Sequence, residues 1–172
     1  MENGRFLLRS LKTSFTHRGT TLYCPCCGGH FSSFLGYSSR LVPAHYEKTG
    51  QNTVCPRCGS LPRHRILCAY LRNNPLLLSA SRVPLLFSHE YSTERFMRSH
   101  GCRKRVADLY DSTADLTLDI QRIDLPSESE DVIFCNHVLQ FVPDDKSAIS
   151  ELYRILRPGG TLIVSVCQLD AL

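Results

Sequence analysis

No apolar run in this 172-residue chain approaches the ~20 residues that a bilayer-spanning helix needs. No stretch reads as a secretory leader either, because Phe6-Leu7-Leu8 is too short and is interrupted by Arg5, Arg9 and Lys12. These absences exclude a membrane partner and lead us to expect a soluble, cytoplasmic protein. There is no low-complexity tract and no internal repeat beyond one duplicated cysteine motif, so neither a repeat array nor a disordered tail is indicated. Acidic residues are scarce at the start: residues 1–74 hold ten Lys/Arg against Glu2 and Glu47, a net of +8. Residues 75–172 hold ten Lys/Arg against fourteen acids, a net of −4. This division suggests a small module over 1–74 and a larger domain over 75–172, joined at Asn73-Asn74-Pro75.

Cysteine is plentiful by contrast, with nine in the chain. Cys24-Pro25-Cys26-Cys27-Gly28 and Cys55-Pro56-Arg57-Cys58-Gly59 each contain C-x-x-C followed by glycine. That spacing lets both sulfurs of a pair reach one ion, and the glycine lets the turn approach closely enough for backbone N–H groups to face the thiolates. Cys24, Cys27, Cys55 and Cys58 would close a tetrahedron around structural zinc, leaving no position for substrate. A disulfide pair, loss of the metal, and Cys26 in place of a neighbour are the alternatives. Cys68, Cys135 and Cys167 lie in apolar runs as small core residues. Between the modules a helix is expected from about Leu61 to Arg72, capped by Ser60, with Pro62 in its first turn and Ile66, Leu67, Tyr70 and Leu71 on one face.

The run Asp131 to Val166 carries the clearest architecture. Val132-Ile133-Phe134-Cys135 is short and unalternated, like a strand buried on both faces. Asp144-Asp145 opens a helical pattern in which Ile149, Leu152, Tyr153, Ile155 and Leu156 recur on one side. Pro158-Gly159-Gly160 should stop that helix, and Thr161–Val166 forms a second buried strand. Strand, helix and parallel strand make a right-handed crossover of an open α/β sheet. Ligands in such sheets bind beyond the carboxyl ends of the strands, which places Asn136 and His137 near a site.

These residues resemble the class I methyltransferases, which use S-adenosylmethionine. The resemblance rests on Asp131-Val132-Ile133, His137-Val138-Leu139, Val142-Pro143-Asp144-Asp145 and the run Glu151 to Gly160. Cys55 to Arg65 is also similar to a C-P-x-C-G-S-L-x-R-H-R signature found ahead of some bacterial domains of this kind, so the resemblance covers roughly residues 22–166. It implies an α/β, Rossmann-like class I sheet preceded by a small zinc-ribbon-like module, with S-adenosylmethionine and zinc as cofactors. The chain departs from the pattern after the first strand, Val83–Ser88, where the usual glycine-rich turn is replaced by Ser88-His89-Glu90-Tyr91, and at Gln140-Phe141 in place of L-E-H.

Site residues carry over one by one. Glu90 would accept from the ammonium group of the cofactor, or else is an acid favoured at a helix N-terminus. Asp108 ends the second strand, about Arg105 to Leu109, 18 residues beyond Glu90, where the family's acid holds the ribose hydroxyls. Asp119-Ile120 would contact the adenine amine. Asn136 and His137 fall beside the methyl donor; His137 has the chemistry of a general base, although proximity and orientation suffice for many methyl transfers. Family sheets run in the order 3-2-1-4-5-7-6, and this sequence ends six residues past Val166, so the sheet is expected to stop after strand five. An apolar edge at Thr161–Val166 would then pair with another copy, a partner protein, or the amino-terminal segment containing Phe6, Leu7, Leu8, Leu11 and Phe15. Two functions follow from the resemblance: methyl transfer to an unidentified acceptor, or a non-catalytic scaffold whose zinc module binds a protein or nucleic acid, with Arg63-His64-Arg65 as a candidate anion contact.

Overall fold

Cys24 and Gly29 face one another across a tight hairpin, so the first cysteine motif is itself the turn between β1 (Arg18–Cys24) and β2 (Gly29–Phe31). The structure, a computed structural model, describes residues 15–36 and 52–166. The chain divides into two compact units, Met1–Asn73 and Asn74–Leu172. In the first unit Gly28 and Gly59 have φ of +67° and +70°, the left-handed geometry that glycine adopts without a side-chain clash. Their N–H groups donate to the Cys24 and Cys55 carbonyls (2.8 and 2.9 Å), and so close the two knuckles through backbone rather than pointing at sulfur.

Helix α1 (Pro62–Asn73) begins with proline at its first position, where the lost N–H costs nothing. Its buried side is His64, Leu67, Cys68 and Leu71, whereas Ile66 and Tyr70 are 72% and 45% exposed. The inward face is therefore rotated from the one expected, because His64 and the small Cys68 occupy the core side. His64 Nδ1 accepts the Leu61 N–H (3.1 Å), and Arg65 donates to the Thr53 and Ser60 carbonyls, each at 2.7 Å. Arg63-His64-Arg65 is thus no continuous anion contact: two of its members hold the fold, and only Arg63 is exposed.

The second unit is built on five parallel strands in the order β5-β4-β3-β6-β7. They are β3 (Leu85–Phe87), β4 (Arg105–Asp108), β5 (Leu116–Thr117), β6 (Glu130–Asn136) and β7 (Leu156–Ser165). Helix α2 (Tyr91–Ser99) connects β3 to β4, and α3 (Asp145–Ile155) connects β6 to β7. Numbered along the chain within the sheet, this is the order 3-2-1-4-5 expected for the first five strands. Leu85, Phe87, Ile133 and Cys135 pack with Ala148, Leu152 and Ile155 of α3. Leu86, Val132 and Phe134 alternate with them and are equally buried, which explains why these strands show no polar alternation.

Helix α3 opens at Asp144-Asp145 as expected, and Asp144 caps it, its carboxylate accepting the Ser147 N–H at 3.0 Å. The inward stripe of α3 is Ala148, Leu152 and Ile155, while Ile149 and Tyr153 are 48% and 79% exposed. The helix ends at Ile155, and Pro158-Gly159-Gly160 lies within β7 rather than stopping the helix. It forms an irregularity in the ladder between the pairs Glu130–Leu156 and Val132–Thr161. A Cβ on Gly160 would sit 2.9 Å from the Arg157 carbonyl oxygen, so the bulge needs glycine there. Among the described residues β7 pairs only with β6. Phe6, Leu7, Leu8 and Leu11, the expected internal cover, and the core candidate Cys167 lie outside the described residues. No helix among the described residues is long and apolar enough to cross a membrane.

Candidate functional site

Parallel strands bring their carboxyl ends to one edge of the sheet, so the residues after β3, β4 and β6 converge there. The connection from β4 to β5 is only residues 109–115, far shorter than a helical crossover. It suffices because β5 is two residues long, and it keeps the chain on the ligand-facing edge. Between these turns lies a cavity of about 290 Å³ whose walls include Ser88, Asp108, Tyr110, Asp119, Ile120, His137 and Val138. Two non-glycine residues at this edge, Ser88 (φ +71°) and His137 (φ +56°), are held in left-handed backbone, a strain that concentrates at functional sites.

Three of the expected residues, Asp108, Asp119 and His137, share the cavity. Asp108 Oδ1 accepts the N–H groups of Tyr110 (2.9 Å) and Asp111 (3.0 Å). Partial burial works to raise its pKa, but these two donors and the Ser88 side chain outweigh it and hold the carboxyl below its ordinary range. Asp119 is fixed by the Gln121 N–H at 2.9 Å. Glu90 and Asn136 are not among the cavity-lining residues; they bond to each other, Asn136 Nδ2 donating to Glu90 Oε2 at 3.2 Å. Thr93 also donates to Glu90 Oε2 (3.2 Å), and Asn136 Oδ1 accepts from the Ser165 hydroxyl at 2.9 Å. Glu90 stands at the N-cap position of α2 without a side-chain cap bond to the backbone. Its carboxylate is therefore organised by this side-chain network.

Sequence reasoning missed the rim. Tyr110 and Phe141 line the cavity yet are 91% and 79% exposed. The signal was there, since Tyr110 lies two residues beyond Asp108 and Phe141 had been noted as a departure from the family. Cys135, next to Asn136, is no nucleophile: burial pushes its thiol up to about 12.

In the first unit the sulfurs of Cys24, Cys27, Cys55 and Cys58 all lie within 4.8 Å of one another. The Cys24–Cys58 and Cys27–Cys55 separations are 3.7 and 3.8 Å. Four sulfurs each ~2.3 Å from a tetrahedral ion would be ~3.8 Å apart, so the cluster has the dimensions of a zinc site. A disulfide, at ~2.05 Å, does not match those separations, and Cys26 is outside the group. Ser60, expected as a helix cap, is fully buried with its hydroxyl 3.3 Å from Cys24 Sγ and 3.2 Å from Cys58 Sγ. It supports the sulfurs from outside the cysteine cluster.

Residues 94–164 match the family model described as a methyltransferase domain. The malonyl-[acyl-carrier protein] O-methyltransferase of Yersinia pestis is 39% identical over 69 residues, which cover 40% of this chain and 24% of that protein. The protein of the same name from Serratia marcescens is 30% identical over 89 residues, covering 45% of this chain and 35% of its own. The chain thus spans about a quarter to a third of the length of these relatives. Among solved structures, a proposed S-adenosyl-L-methionine-dependent methyltransferase of Methanococcus maripaludis is 14% identical, with a TM-score of 0.42 over 56% of this chain and 54% of that one. One from Thermotoga maritima is 22% identical, with a TM-score of 0.39 over 59% and 58% of the two chains. Residues 94–164 are thus similar to a methyltransferase domain, and they lie within the unit whose strands run in the order expected for such a sheet.

Proposed function

We propose that the cavity at the carboxyl edge binds S-adenosylmethionine and that the chain transfers the methyl group to an acceptor. The observation that carries this is the placement of Asp108 and Asp119 on one cavity, each carboxylate pre-oriented by backbone donors. Asp108 suits the vicinal hydroxyls of a ribose, and Asp119 the amine of an adenine, with Ile120 and Val138 as apolar wall. Glu90, beside the cavity rather than on its wall and held by Thr93 and Asn136, is the carboxylate we assign to the cationic end of the cofactor, and Asn136 acts by orienting Glu90. When bound, the cofactor supplies an electrophilic methyl group; the chain supplies alignment and exclusion of water. His137 lines the cavity and is the residue available to take a proton from an acceptor that carries one.

The acceptor named for the relatives, malonyl on a carrier protein, is the first to test. Its carboxylate is already ionised and needs no base, so His137→Gln should leave transfer to it largely intact. Incubation with methyl-labelled cofactor should label malonyl carrier protein; a chain that binds cofactor but labels neither this nor other carboxylates would contradict that acceptor. A second reading, binding without transfer, is favoured by Asn136, whose amide is committed to Glu90 and Ser165 rather than turned toward an acceptor. We also assign zinc to Cys24, Cys27, Cys55 and Cys58 as a structural ion, because four thiolates leave it no open position.

A further inference from the structure

The turn that follows β3 is left-handed at Ser88 and carries His89 next to it. Its ring is stacked on Tyr91, with centroids 5.3 Å apart and planes 4° from parallel. Nδ1 lies 2.9 Å from Glu94 Oε1 at the start of α2. Nε2 faces the opposite way, toward the loop after β4, 3.4 Å from Thr113 Oγ1 and 4.0 Å from Asp111 Oδ2. That loop carries the candidate ribose ligand, since the Asp111 N–H donates to Asp108 Oδ1 at 3.0 Å. One imidazole therefore spans the two turns that form the cavity mouth.

Counting protons decides which form of the ring fits. Burial works to raise the Glu94 pKa, but Lys104 at 2.7 Å and His89 outweigh it and hold the carboxyl below its ordinary range, so it is an ionised acceptor. Nδ1 must therefore carry a hydrogen. The Thr113 hydroxyl has one proton, and it points to Asp111 Oδ1 at 2.6 Å. Asp111 is in turn held below its ordinary range by that hydroxyl and by the Thr113 N–H. A neutral ring would turn the bare Nε2 lone pair toward an oxygen whose proton is already committed, with a carboxylate behind it. An imidazolium satisfies every member: Nδ1–H donates to Glu94, and Nε2–H donates toward Thr113 and Asp111.

Building on the reading of the cavity as a cofactor site, we propose that protonated His89 is a positioning residue that clasps the Asp108 loop to the start of α2. Protonation closes the clasp and orders residues 109–113; loss of the proton releases the loop and loosens ligand binding. The groups facing the ring are Glu94 and Tyr91 from α2 and Asp111 and Thr113 from the loop, with Lys104 acting through Glu94. Carboxylates, tyrosine and lysine ordinarily titrate outside pH 5.5–8.5, whereas histidine changes charge within it. His137 is a second imidazole, on the cavity wall, so the comparison must be with a variant that retains it.

The test uses the whole chain and S-adenosylhomocysteine. Wild type should bind at least about fivefold more weakly at pH 8.5 than at pH 5.5, the lower end of typical coupling between sites. His89→Gln keeps a donor but cannot titrate, and Asp111→Asn removes the charge it meets; each should lose this pH step, while any contribution of His137 persists in all three proteins. A second reading needs no ligand: backbone amide protection over residues 109–114, corrected for intrinsic exchange, should fall with rising pH in wild type only. Identical pH profiles for wild type and both variants in protection would overturn the clasp. A wild type that shows the protection change but binds no S-adenosylhomocysteine would uphold the clasp and overturn the cofactor reading.

Discussion

Asp108 shows how a single carboxylate is prepared before any ligand arrives. Two backbone N–H groups fix one oxygen and help keep the group ionised. Replacing it with alanine should cost binding of S-adenosylmethionine roughly 1.5–3 kcal/mol, or about 10- to 150-fold in affinity, measured by titration. Unchanged affinity would move the ribose contact elsewhere. Glu94 makes a prediction of known sign: its folded pKa is depressed, so its contribution to stability is present above the ordinary glutamate value near 4.3 and is lost as pH falls through the lower folded value. Acid unfolding followed by circular dichroism should therefore shift to higher pH in Lys104→Ala, whose loss removes the ion pair; an unmoved midpoint would contradict the assignment. Glu90 and Asn136 were both legible as residues of this edge. That they pair with each other was not, because sequence spacing carries no information about contacts across strands, here from the turn after β3 to the end of β6.

Helix α3 is anchored by Leu152, which is fully buried against Leu85, Phe87 and Ile133. Leu152→Ala should destabilise the second unit by ~2–5 kcal/mol in denaturant unfolding. Ile149→Ala, nearly half exposed, should cost much less, and equal costs would contradict the inward face described. The crossover from β6 through α3 to β7 was readable because both strands are continuous apolar runs and Asp144 is a strong cap. The faces of α1 and α3 were read less well: hydrophobic periodicity treats Ile66, Tyr70, Ile149 and Tyr153 as core, while His64, Cys68 and Ala148 take the inner positions. Pro158-Gly159-Gly160 was misread for a related reason, since the same residues that stop a helix also make a bulge inside a strand. The two-residue β5 has no periodicity to detect and exists only through pairing with β4.

The two units depend on different physics. The second rests on a core shared by sheet and helices; the described residues of the first are short strands, helix α1 and a cysteine cluster. Purified protein should carry about one zinc per chain, and chelation should remove the protection of the first unit while the amides of β3, β4 and β6 stay protected. A folded, reduced protein without zinc would end that assignment. Gly59→Ala, forced to φ +70°, should weaken metal retention without changing the second unit. The cysteine cluster was fully legible, because C-x-x-C spacing acts locally and the two knuckles are alike. The central claim is that the cavity bearing Asp108 and Asp119 holds the cofactor, and calorimetric titration of the zinc-loaded chain with S-adenosylhomocysteine tests it most directly. Saturable binding of one ligand per chain, weakened at least tenfold by Asp108→Ala, is the predicted result; a folded protein that takes up no ligand would contradict it.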